Sequence, residues 1–326
     1  MAVTPVPGAP VRRMLVLRAL GLGDLLTAVP ALRALRRGAP DARITLAAPD
    51  ALAPFARATG AVDAILDVSA LDASGLDVPL PRIGPVDTAV NLHGRGPRSH
   101  RLLAATGPGR LLAFARPEFP EIGGPEWDAG EHEVARWCRL VAAYGFDADP
   151  DDLGLPRPDT ESPAPGAVVV HPGAARPARR WPAERFAAVA AALRDAGERV
   201  VVTGGPGETG LARRVAAAAG LGADADLSGR TPPPALAALI AGARLLVCGD
   251  TGVAHLATAY RTPSVVLFGP SPPDRWGPPP DRPEHTVLWA GRFGDPHGAE
   301  PDPGLLEITA AEAVRAAGRA LALQRC

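Results

Sequence analysis

Residues 245–270 read Leu-Leu-Val-Cys-Gly-Asp-Thr-Gly-Val-Ala-His-Leu-Ala-Thr-Ala-Tyr-Arg-Thr-Pro-Ser-Val-Val-Leu-Phe-Gly-Pro. An apolar run at 245–248 stops at Gly249-Asp250-Thr251-Gly252, an alanine-rich helical segment follows, and a second apolar run at 264–268 stops at Gly269-Pro270. Short apolar runs bounded by glycine turns and separated by a helix read as a β-α-β unit, and so as parallel strands. The glycine turn falls where a strand feeds a helix N-terminus. Free backbone N–H groups and the helix dipole suit that place to a phosphate. Asp250, Thr251 and His255 add polar side chains at the same turn.

The same grammar extends outward from this unit. Toward the N-terminus, residues 14–18 form a buried-strand pattern, followed by Gly21-Leu22-Gly23-Asp24 and a helix to about residue 37. Strands at 44–48, 64–67 and 88–92 and helices at 51–59 and 131–144 continue the alternation, the last with Val134, Trp137, Cys138 and Val141 on one stripe. Residues 149–165, rich in Pro and Asp, read as a linker. Beyond it come a strand at 167–171, a helix at 182–195, and a strand at 199–203 that ends in Gly204-Gly205-Pro206-Gly207. Helices at 211–219 and 234–241 lead to the opening unit, and an alanine-rich helix at 312–323 closes the chain. Two successive α/β domains with a cleft between them follow from this pattern, with ligands expected at the carboxyl ends of the strands.

Composition bounds the function. A chain of 326 residues fits two domains. Hydrophobic residues make up 47% and aromatics only 4%, so the cores must be mostly Ala, Leu and Val. The formal net charge of -1 gives no bulk attraction to nucleic acid or an anionic membrane. Every basic side chain other than histidine is arginine, which reads as the coding bias of a G+C-rich genome, so arginine number alone says little. Cys138, Cys248 and Cys326 lie far apart and the histidines show no ligand spacing, so no protein-held metal is expected. Residues 1–10 are Pro-rich with few apolar positions, unlike a signal peptide, and no apolar run reaches membrane-spanning length. The expectation is a soluble, cytoplasmic protein that does not bind nucleic acid.

Four glycine-rich strand ends stand out, near 21–24, 171–175, 204–208 and 249–252. None has Walker A spacing, and no Gly-x-Gly-x-x-Gly follows the first strand, which argues against a P-loop kinase or an ordinary dehydrogenase. One such turn is more often a plain connection; three in one domain at one sheet edge favour a phosphate site. Asp24 reads either as a helix N-cap or as a general base facing the cleft. Arg176, Arg179 and Arg180 either form a solvated basic loop or neutralise a diphosphate leaving group. Asn91-Leu92-His93-Gly94-Arg95, with Arg98 and Arg101 behind it, reads either as a polar loop or as a site for an acidic or hydroxyl-rich acceptor. Trp181 reads as a packing anchor and Cys248 as a buried small hydrophobe.

Taken together the signatures resemble the heptosyltransferase family, glycosyltransferase family 9. They are Leu17-Arg18-Ala19-Leu20-Gly21-Leu22-Gly23-Asp24; His171-Pro172-Gly173-Ala174 with Arg179-Arg180-Trp181-Pro182; Gly204-Gly205-Pro206-Gly207-Glu208; Leu227-Ser228-Gly229-Arg230-Thr231; and Gly249-Asp250-Thr251-Gly252 with His255-Leu256-Ala257. The resemblance implies a GT-B fold, two Rossmann-like α/β/α domains facing a central cleft. Residues 1–155 would form the acceptor-side domain and 156–310 the nucleotide-sugar domain, with a C-terminal helix at 311–326 that can pack back on the first domain. It implies an inverting, metal-independent sugar transfer without a cofactor, from a nucleotide-diphosphate donor such as ADP-heptose. Asp24 would be the base. Gly173, Ala174, Ala175, Arg179, Asp250, Thr251, Gly252 and His255 would hold the donor sugar and diphosphate, Glu208 the ribose, and the backbone around Thr231 the base. His93, Arg95 and Arg98 are candidates for acceptor binding, the acceptor being a glycan, a lipid-linked molecule or a natural product, with peripheral membrane contact left open. Where the family commonly carries a lysine two residues before the Trp-Pro pair, this chain has Arg179, a planar fork in place of a compact ammonium. A nucleotide-sugar epimerase of similar fold and a noncatalytic nucleotide-sugar-binding protein are the competing readings.

Overall fold

The computed structural model describes residues 11–71 and 79–324. The readings of residues 1–10 and of Cys326 fall outside the described residues. The chain divides into two compact units, the first running to Leu153 and the second starting at Gly154.

The first unit carries five strands, β1 (Arg13–Leu17), β2 (Arg43–Ala48), β3 (Ala64–Asp67), β4 (Thr88–Asn91) and β5 (Arg110–Leu112), in the order β3-β2-β1-β4-β5 with every pair parallel. Its helices are α1 (Leu22–Thr27), α2 (Val29–Gly38), α3 (Ala53–Ala58), α4 (Arg98–Ala104) and α5 (Glu133–Ala142). Near-continuous apolar strands such as Met14-Leu15-Val16-Leu17, all fully buried, are what a parallel sheet covered on both faces requires. The single helix expected to reach residue 37 is two helices meeting at Ala28. Pro30 explains the break: it has no N–H to give and its ring would strike the carbonyl of Leu26, but it is tolerated in the first turn of a new helix.

The second unit repeats the plan with β6 (Val168–His171), β7 (Val200–Val202), β8 (Leu245–Gly249), β9 (Ser264–Phe268) and β10 (His285–Trp289), ordered β10-β9-β8-β6-β7 and again all parallel. Its helices are α6 (Ala183–Asp195), α7 (Thr209–Ala218), α8 (Pro233–Ala241), α9 (Gly252–Tyr260), α10 (Pro273–Trp276), α11 (Pro303–Glu307) and α12 (Ala310–Ala322). Val168, Val170, Leu245, Val247, Val265 and Leu267 point to one face, where they pack against α6, α7 and α12. The alternate strand residues lie on the opposite face, and α9 packs against β8 and β9.

The closing helix buries Ala313, Ala316, Ala317, Ala320 and Leu321, one helical stripe, within the core of the second unit. A stripe of methyl groups lets it lie close to β8 and β9 of its own unit. Trp181 is fully buried, donates from Nε1 to the Ile308 carbonyl at 3.0 Å and meets Phe186 edge-on, so it anchors this core. Strands β5 and β10 have no counterpart in the sequence reading.

Candidate active site

In the second unit β6 and β8 are neighbours although β7 lies between them in sequence. Connections leave these two strands toward opposite edges of the sheet, which opens a crevice at their carboxyl ends, the usual ligand position in such sheets. His171 ends β6 and Gly249 ends β8. The turn of Gly173, Ala174 and Ala175 follows the first, and Asp250, Thr251 and Gly252 follow the second. The loop through Gly205 and Glu208 leaves the adjacent β7. Both phosphate turns expected from sequence therefore leave the strands that flank the switch point.

Thr251 is the N-cap of α9 in extended conformation, and its side chain makes no capping hydrogen bond. The Thr251 side chain thus caps none of the first-turn N–H groups of this nine-residue helix, which carry the positive end of its dipole. Arg179 reaches over from the loop after β6, its Nη1 lying 3.7 Å from a carboxylate oxygen of buried Asp250. The carbonyl of Arg179 would lie 3.1 Å from a Cβ at residue 249, so glycine there admits the close approach. Arg180 donates from Nε to the Ala174 carbonyl at 2.8 Å and braces the 173–175 turn, while Arg176 is exposed. Two buried nitrogens in this neighbourhood, Arg179 Nε and His171 Nδ1, have no hydrogen-bond partner.

Glu208 is held over the 171–175 segment from several sides. Its Oε2 accepts from the Gly205 N–H at 2.8 Å and lies 3.7 Å from His171 Nε2. A Cβ on Gly173 would sit 2.1 Å from Glu208 Oε1, so the carboxylate occupies the space a side chain would need. Burial drives the His171 imidazole below its ordinary pKa, against the opposing pull of the Glu208 carboxylate. Thr231 places its hydroxyl 3.3 Å from that of Thr203, next to the end of β7. His255 lies in the first turn of α9, its ring edge-on to Trp276 at 6.1 Å.

The first unit has its own switch point between β1 and β4. Arg18 follows β1 with a fully buried side chain. Its Nε donates to the Asp24 carbonyl at 2.8 Å, Nη1 to the Leu92 carbonyl, and Nη2 to Thr27 Oγ1 at 3.2 Å and Glu133 Oε1 at 2.9 Å. Its guanidinium also lies 4.6 Å from the Trp137 ring centroid. Glu133 accepts from Arg136 and from Trp137 Nε1. Burial alone would raise the Glu133 pKa, but the guanidiniums of Arg18 and Arg136 outweigh it and hold the carboxyl below its ordinary range. The sequence reading gave Arg18, Glu133 and Arg136 no role: Arg18 appeared only as the end of the 14–18 strand pattern and within the first family signature, and Trp137 only on the apolar stripe of its helix.

Asp24 is not the N-cap of α1. Gly21 holds that position, and Asp24, three residues on, reaches back so that its Oδ2 accepts from the Gly21 N–H at 3.1 Å. Its other oxygen lies 3.6 Å from Arg18 Nη2, and 28% of the side chain stays exposed, enough to be reached by a substrate. His93 follows β4, its N–H bonded to Asn91 Oδ1 at 3.1 Å and its buried Nδ1 without a partner. Burial, helped by the nearby Arg18 charge, lowers the His93 pKa to about 4, so the ring is neutral near pH 7. Arg95 and Arg98 are exposed at the same strand end, Arg95 beside an open cleft of about 490 Å³ that Arg116, Phe119 and Trp127 also line. Cys138 and Cys248 are buried free thiols; burial pushes Cys138 up to about 12 and Cys248 up as well, so neither is a ready nucleophile. Among the described residues no three His, Cys, Asp or Glu side chains cluster so as to hold a metal.

The family model for glycosyltransferase family 9 (heptosyltransferase) matches residues 126–296, more than half of the chain. The chain belongs to glycosyltransferase family 9. Among curated family 9 relatives, lipopolysaccharide heptosyltransferase 2 of Escherichia coli strain K12 is 37% identical over 101 residues. That stretch is 30% of this chain and 29% of the relative, so the sequence match spans under a third of the relative's length. Similarity to solved structures reaches further. The ADP-heptose lps heptosyltransferase II of E. coli superposes with a TM-score of 0.74 at 21% identity, over 96% of this chain and all of the other. A glycosyl transferase family 9 protein of Veillonella parvula DSM 2008 gives 0.73 at 22%, over 96% and 97%. At these identities the likeness is one of fold, and the fold is GT-B.

Proposed function

We propose that this family 9 chain is an inverting glycosyltransferase that moves a sugar, a heptose from ADP-heptose, onto an acceptor hydroxyl. The observation that carries the reading is the convergence of three loops at the β6/β8 switch point, with a helix N-terminus that its Thr251 side chain does not cap and two buried nitrogens, Arg179 Nε and His171 Nδ1, lacking partners. Such a set is suited to the two negative charges of a diphosphate. The names of the relatives supply the heptose and the ADP; the geometry supplies the diphosphate.

In this reading Asp24 takes the proton from the acceptor hydroxyl, and the acceptor oxygen attacks the anomeric carbon. The bond from that carbon to the donor phosphate breaks, and the nucleoside diphosphate leaves with the electron pair. Charge grows on the diphosphate as the bond lengthens, and fixed N–H dipoles and a guanidinium stabilise it without a metal. Gly173 to Ala175, Asp250 to Gly252 and His255 hold diphosphate and sugar, Glu208 the ribose, and the backbone near Thr231 the base. His93, Arg95 and Arg98 receive the acceptor, a glycan, lipid-linked or natural-product hydroxyl, in the cytoplasm. No helix among the described residues is long and apolar enough to cross a membrane.

The test is a screen of ADP-, GDP- and UDP-sugars for a rise in melting temperature, followed by product analysis with and without acceptor. A ligand that binds only the native state must raise the midpoint. Stabilisation by ADP-heptose with acceptor-dependent release of ADP supports the reading. Stabilisation by UDP-sugars alone, or conversion of the sugar with no acceptor present, overturns it in favour of another donor or an epimerase.

A further inference from the structure

The buried pair of Arg18 and Glu133 lies outside every role assigned so far, and a fully buried guanidinium is an expensive thing to keep in a protein core. The chain surrounds it with partners. Arg18 touches two carbonyls, a hydroxyl, the Glu133 carboxylate and the Trp137 ring, and it lies within 3.6 Å of the Asp24 carboxylate. Three of these contacts grip α1 at its functional residue: Nε takes the Asp24 carbonyl, and Nη2 faces both the Thr27 hydroxyl and Asp24 Oδ1. Thr27 Oγ1 in turn donates to the Asp24 carbonyl at 3.0 Å, so that one oxygen is held from two directions. The fourth contact, to the Leu92 carbonyl, ties the same guanidinium to the strand end that carries His93. Glu133 and Trp137, both on α5, hold the guanidinium from behind.

We infer that Arg18, held by Glu133, is the positioning residue for Asp24. It fixes backbone and carboxylate of Asp24 together and ties α1 to the end of β4. Asp24 Oδ2 is already engaged by the Gly21 N–H. The guanidinium stands beside the other carboxylate oxygen, Oδ1. A planar fork with five donors can make this set of contacts at once; an ammonium cannot. The inference rests on the reading of Asp24 as the base.

The test is a double-mutant cycle of Arg18→Gln and Asp24→Asn, following acceptor-dependent release of nucleoside diphosphate from ADP-heptose, with kcat and donor KM measured separately. Arg18→Gln leaves Glu133 its Arg136 partner, so the fold keeps a neutralised core. Arg18→Gln alone is expected to lower kcat by about 10- to 100-fold, no more than the lower end of what proton transfer contributes in full, with donor KM unchanged. In the Asp24→Asn background the same change should cost less than about twofold, because residues acting as one unit are not additive. Equal losses in both backgrounds would mean a general structural role and overturn the inference. So would a parental kcat for Arg18→Gln while Asp24→Asn is inactive. Near-parental turnover by Asp24→Asn itself would instead remove the base reading, a separate failure. Should Arg18→Gln not fold, Arg18→Lys is carried through the same cycle; it keeps the charge and loses the fork, and the same non-additivity is required of it.

Discussion

Replacing Gly173 by alanine tests whether Glu208 reads the donor. The added Cβ would lie 2.1 Å from Glu208 Oε1 and 2.2 Å from its Cδ, far inside any allowed contact, so the carboxylate must move. The turn itself has no reason to move. Gly173 does not have a positive φ, so alanine imposes no backbone strain there. The obstacle is the far end of a rotatable side chain, and what the fold gives up is the bond between Glu208 and the Gly205 N–H and the approach of the carboxylate to His171. A hydrogen bond to a charged group contributes about 1.5–3 kcal/mol. If the displaced carboxylate also loses one such bond to the donor ribose, binding weakens by a similar amount, about 10- to 100-fold in Kd at 1.4 kcal/mol per decade. Titration calorimetry with ADP and with ADP-heptose reads this directly, and a thermal melt checks the fold. The expected outcome is a Kd raised at least about tenfold, with Glu208→Gln in the Gly173 background giving a loss of the same order. An unchanged Kd in Gly173→Ala, with the fold intact, would refute the role given to Glu208.

Two further outcomes follow from the packing and the titrating groups. Trp181→Phe keeps most of the buried ring and removes one of two donors to the Ile308 carbonyl, which keeps its bond from Arg185 Nη1, so chemical denaturation should show a loss of about 0.5–1.5 kcal/mol with donor affinity unchanged. His93 and His285 both have pKa values lowered to about 4 by burial, and His100 and His171 are lowered as well. Unfolded histidines titrate near 6.5, so between that pH and about 4 the unfolded chain binds more protons than the folded one. Stability is therefore fully present above about pH 6.5 and falls as the pH drops toward 4, before the carboxylates contribute. Melting temperatures from pH 7.5 to 5 should decline, and His285→Asn should flatten the decline; a profile level down to pH 5 would contradict it.

Much of the fold was legible because parallel strands in a doubly covered sheet are short apolar runs stopped by glycine, and β3 and β9 were read residue for residue. What was missed lacks that signature. β5 is three residues long, and β10 is only half-buried along its length and opens with a histidine. The break at Ala28 was written in Pro30, whose effect on Leu26 four residues back is a matter of geometry more than pattern. The residues proposed for the donor stand out in the sequence because they sit directly on glycine turns at strand ends. The surroundings of Asp24 do not. Arg18, Glu133 and Trp137 meet across more than a hundred residues of sequence, and a buried arginine looks like any other of the 34 until its partners are placed.

The central claim is that Asp24 activates the acceptor while the β6/β8 switch point holds the donor. The direct measurement is acceptor-dependent release of nucleoside diphosphate by Asp24→Asn, made on protein whose donor affinity has been checked by calorimetry. The account predicts a kcat lower by about 100-fold or more, the scale of general-base catalysis, with donor Kd within about twofold of the parent, since the binding loops belong to the other unit. Turnover near the parental rate by a folded Asp24→Asn protein that binds donor normally would contradict it.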